Sequence, residues 1–62
     1  MNIDILVAKL VKKGFSVERA KVFANEILTT AKQYGVDASY LVDQVSTDFK
    51  LNDLGSFIIN NA

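Results

Sequence analysis

The chain has no cysteine, no histidine, no proline and no tryptophan. Without cysteine there is neither a disulfide nor a thiolate nucleophile, and without histidine the commonest neutral general base and the best nitrogen ligand for zinc are gone. Most catalytic constellations are excluded on that ground, and neither a cofactor nor a metal is expected. Long apolar runs are missing too: the longest is Ile5-Leu6-Val7-Ala8, far short of the roughly 18 to 20 residues that span a bilayer. Met1-Asn2-Ile3-Asp4 places no basic stretch ahead of an apolar one, so no secretory signal is expected. A soluble protein, intracellular or within a virion, agrees with the lack of cysteine.

No charge of either sign is in excess, since seven Lys plus Arg balance seven Asp plus Glu. What is present is a globular composition, half apolar and 23% charged, in 62 residues. That length holds one core, so a single small helical domain over residues 1–62 is expected.

The apolar residues recur at helical spacing. Ile3, Leu6, Val7, Leu10 and Val11 share one face of a first helix, Lys12 and Lys13 suit its negative end, and Gly14 can take the left-handed position that stops it. Ser16 is a good N-cap for a second helix, with Glu18 in its first turn and Phe15 before the cap. The stripe Ala20, Phe23, Ala24, Ile27, Leu28, Ala31 and Tyr34 then runs about five turns to Gly35. Gly35, Val36 and Asp37 read as stop, hydrophobic anchor and new N-cap. A third helix follows with Ala38, Leu41, Val42, Val45 and Phe49 on one side. Asn52 or Asp53 can cap a last short helix with Leu54, Phe57 and Ile58 inside, although Gly55 costs about 1 kcal/mol relative to Ala there. With no alternating pattern and short connections, the expectation is an all-α, compact bundle of three to four short helices.

Each helix also carries one large apolar residue opposite its stripe when positions are stepped at about 100° per residue: Ile5, Val22, Tyr40 and Ile59. Isolated exposed apolar residues are ordinary on soluble proteins. In a chain this short, however, the cost of ordering nearly cancels what the core returns, and association is a common remedy. The four positions are therefore candidate partner contacts, with Phe15 at an exposed corner. The partner is a protein, either another copy of the chain or a larger assembly; nucleic acid is not favoured and a membrane is excluded. Small helical virion proteins of bacteriophages have this size and style, an analogy of type without a motif.

The charges are sorted along the chain. Residues 1–32 hold six basic and three acidic side chains, and residues 33–62 hold one basic and four acidic. The halves can pair within the bundle, the favoured reading, or between copies. Lys9, Lys12, Lys13 and Arg19 form a basic patch that suits solvated cations near a helix C-terminus better than a phosphate site.

The run from Ala31 to Val42 has the Ala, Gly and apolar spacing of a helix-turn-helix, in which Ala38, Ser39, Asp43 and Gln44 would face the groove. That is the alternative reading, a nucleic-acid-binding regulator. It sets Asp43 against phosphate and leaves Lys50 as the one base between residues 33 and 62, so the electrostatic attraction that drives such binding is missing.

Two family resemblances fall on the same stretches. Leu10-Val11-Lys12-Lys13-Gly14-Phe15-Ser16-Val17-Glu18-Arg19-Ala20 resembles the first helix, Gly-Phe loop and second-helix start of ubiquitin-associated and related three-helix modules. The resemblance implies a protein-docking surface around Gly14 and Phe15. The second helix here is longer than that family's and the third lacks its paired leucines, so only the general idea of a docking module carries over. Ala31 to Leu41 is similar to the run ahead of the catalytic Glu in soluble lytic transglycosylases, but Ser46-Thr47-Asp48-Phe49 stands where a Glu-Ser pair would follow. A muramidase is not expected. Asp43, Asp48 and Asp53 are spaced by five, which stacks no carboxylates on a helix face and matches no calcium loop. The expected function is that of a non-enzymatic binding or assembly module, homo-oligomeric or docked as an accessory subunit of a larger assembly.

Overall fold

The structure, a computed structural model, describes residues 3–61 and, within that span, the side chains of all but Leu51, Phe57, Ile58, Asn60 and Asn61. Among the described residues the chain is all-α: α1 (Ile3–Lys13), α2 (Val17–Tyr34), α3 (Ala38–Gln44), a short 3-10 turn (Leu51–Asp53) and α4 (Leu54–Asn61). The radius of gyration is 10.3 Å, and a well-packed domain of this length would have about 10.6 Å. The helices therefore pack as one small bundle.

The first two helices end the same way. The Gly14 amide donates to the Val11 carbonyl at 3.0 Å, and the Phe15 amide reaches back to Leu10 at 3.1 Å. At the end of α2 the Gly35 amide donates to Lys32 at 3.4 Å and that of Val36 to Ala31 at 3.0 Å. Both sets are the paired bonds of a Schellman motif, which satisfies carbonyls the helix leaves orphaned and requires a left-handed residue at its turn. Gly14 has φ 115° and Gly35 φ 70°. In this motif the residue after the glycine packs onto the last turn. Phe15, expected at an exposed corner, is accordingly turned inward and is only 4% exposed. Val36 is partly buried against the same core.

The N-caps fall where the sequence puts them. Ser16 Oγ accepts from the Arg19 amide at 3.2 Å, and Asp37 Oδ1 accepts from that of Ser39 at 3.0 Å. Leu6 and Leu10 of α1 meet Ala20, Phe23, Ala24, Ile27 and Ala31 of α2 and Ala38, Leu41 and Val42 of α3 in one core that Phe15, Val45 and Leu54 complete. No polar or charged residue is buried among the described residues.

Other expectations need correcting. Tyr34, placed on the inner stripe of α2, is exposed. It is the last residue of α2, and the core side of that turn is held by Ala31, which is 1% exposed. Val11 sits at the edge of its stripe and is 38% exposed. The third helix stops at Gln44, where Val45 turns extended at φ −77°, ψ 150°. Val45 and Phe49 still reach the core, but from the connection. Asn52 and Asp53 lie within the 3-10 turn that leads directly into α4 rather than at a cap, and Gly55 is inside that helix. Leu54 is buried as expected; the side chains of Phe57 and Ile58 are outside the described set.

A Cβ at Gly14 would stand 3.3 Å from Thr47 Cγ2, whereas one at Gly35 would meet nothing within 4 Å. Gly14→Ala therefore combines a worse backbone angle with a crowded contact, and Gly35→Ala has backbone strain alone. Urea unfolding followed by circular dichroism is expected to show a cost of about 1 kcal/mol for Gly35→Ala and about 2 kcal/mol or more for Gly14→Ala.

Candidate functional site

The polar side chains of the first half are mostly occupied within the molecule. Lys9 Nζ donates to Ser39 Oγ at 2.7 Å and pairs with Asp43 Oδ1 at 3.2 Å, tying α1 to α3. Both partners of this pair are more than a third exposed, so it is worth about 0.2 to 1 kcal/mol at most. Lys13 Nζ, one turn on, donates to the backbone carbonyls of Asp43 at 2.7 Å and Val45 at 2.8 Å. It thereby satisfies the free end of α3 with a cation, where the helix dipole favours one.

Arg19 does the corresponding work for the α3–α4 connection. Its guanidinium carbon lies 4.7 Å from the centroid of Phe15 and 4.6 Å from that of Phe23. Its fork donates from Nη1 to the Thr47 carbonyl at 2.5 Å and from Nη2 to that of Phe49 at 3.0 Å. Phe15 and Phe23 are 5.1 Å apart between centroids, and Phe49 meets Phe23 edge-on at 6.1 Å. A planar cation over two rings with a rigid fork of donors is a role that lysine does not fill. Three of the four bases of the expected basic patch are thus committed inside the fold, and Lys12 is exposed.

In the same connection the Ser46 hydroxyl donates to Asp48 Oδ1. That bond, with a backbone amide and the nearby Arg19 charge, holds the Asp48 carboxyl below its ordinary value.

Of the expected contact residues, Ile5 is 50% exposed, Val22 53%, Tyr40 50% and Ile59 65%. They occupy all four helices and do not all share a face. Phe15 is removed from this set: it lies beneath Arg19, so the docking surface implied around Gly14 and Phe15 lacks its aromatic side chain. Three further apolar residues are exposed: Val17, which the sequence did not single out, and Val11 and Tyr34, which it placed on the inner stripes. Val17 had a usable signal, since the first helical position after a cap stands at the rim of a bundle. Tyr34 had none, because its spacing matches the buried stripe of α2.

The groove face required of a helix-turn-helix is largely spoken for. Ala38 is buried, while Ser39 and Asp43 are bonded to Lys9 of α1. Among the described residues there is no pocket and no group of acidic residues able to hold a metal. No helix among them is long and apolar enough to cross a membrane. Comparison with protein-family models, with curated proteins and with solved structures finds no match to this chain.

Arg19→Lys keeps the charge but loses the fork and the stacking. It is expected to cost about 1 to 2 kcal/mol, seen as faster amide exchange across residues 46–50 while α1 and α2 stay protected. The lowered Asp48 carboxyl contributes stability that is present above about pH 4 and is lost as pH falls through its folded value. The difference in urea midpoint between the wild type and Asp48→Asn is therefore expected to be greatest near pH 6 and to shrink as the pH falls below about 4.

Proposed function

We propose that this chain is a non-enzymatic helical binding module that works by association, either with copies of itself or docked as an accessory subunit of a larger assembly such as a virion. The observation that carries the reading is the division of its side chains. Lys9, Lys13, Arg19, Asp37 and Asp43 are engaged in caps and inter-helix bonds. Ile5, Val22, Tyr40 and Ile59 stand half or more exposed. Recognition by such a surface is by apolar area with few charges, as in protein interfaces. The bundle gains from it, because a core of this size leaves little stability in reserve and every contact that covers apolar surface adds to it. A catalytic reading has no support in a chain that lacks histidine and cysteine and whose acidic residues form no cluster among the described residues.

Light scattering across a concentration series, paired with electrophoretic mobility of duplex DNA at low and moderate salt, tests the reading. A mass that rises with concentration and DNA that is not retarded are expected. Retardation that falls steeply with salt overturns the proposal in favour of a nucleic-acid regulator.

A further inference from the structure

We draw no further inference here: the strongest candidate, the apolar surface of α1 and α3 on which Ile5 and Tyr40 stand half exposed, carries nothing because nothing in the structure shows what covers it.

Discussion

A helix of seven residues does not persist in water by itself, because its first four amides and last four carbonyls have no partners within it and few bonds remain to offset the ordering cost. In this protein α3 is such a helix, and its ends are closed from outside. Asp37 accepts from the Ser39 amide at the start. Lys13, from a helix thirty residues earlier in the chain, donates to the Asp43 and Val45 carbonyls at the finish. Lys9 braces the middle through Ser39 and Asp43. Arg19 then carries the hold across the next connection, seated on Phe15 and Phe23 and donating to the carbonyls of Thr47 and Phe49. The second half of the chain packs into the core through Ala38, Leu41, Val42, Val45 and Leu54, and cations of the first half close its backbone ends.

That dependence gives the unequal distribution of charge a purpose. Cations of the basic first half are drawn onto backbone carbonyls and one carboxylate of the second, and each bond formed in this way removes a cation from any role toward phosphate. It also removes the polar face of α3 from any groove, since Ser39 and Asp43 are turned to α1. On the proposed reading, what the molecule offers to a partner is its exposed aliphatic and tyrosine side chains. Affinity built on such residues comes from burying them against a shaped counterpart, with remaining charges such as Lys12 acting on orientation more than on strength.

Much of the architecture was legible because it is local. A glycine followed by an apolar residue and a cap residue marks the end of one helix and the start of the next within three or four positions, as at Gly14-Phe15-Ser16 and Gly35-Val36-Asp37, and both junctions form as those residues require. Phe15 shows how easily half of such a signal is missed. Read as the residue before a cap it looks like a corner, but read as the residue after a Schellman glycine it is bound to fold inward, as Val36 does. The connection from Val45 to Lys50 resisted reading because its form follows from carbonyls captured by Lys13 and Arg19. No spacing within those residues announces that capture.

By itself the sequence determined where helices start and stop and which side of each is apolar, since caps, glycine turns and the 3.6-residue period act over a few residues of chain. The exposure of Ile5, Val22, Tyr40 and Ile59 follows from the same periodicity. Only the tertiary structure decided that Phe15 lies beneath Arg19 and that Val45 and Phe49 reach the core from the connection after α3, because each depends on the position and direction of a second element. Those are set by contacts between residues far apart in the chain, and such contacts leave no trace in the order of the residues.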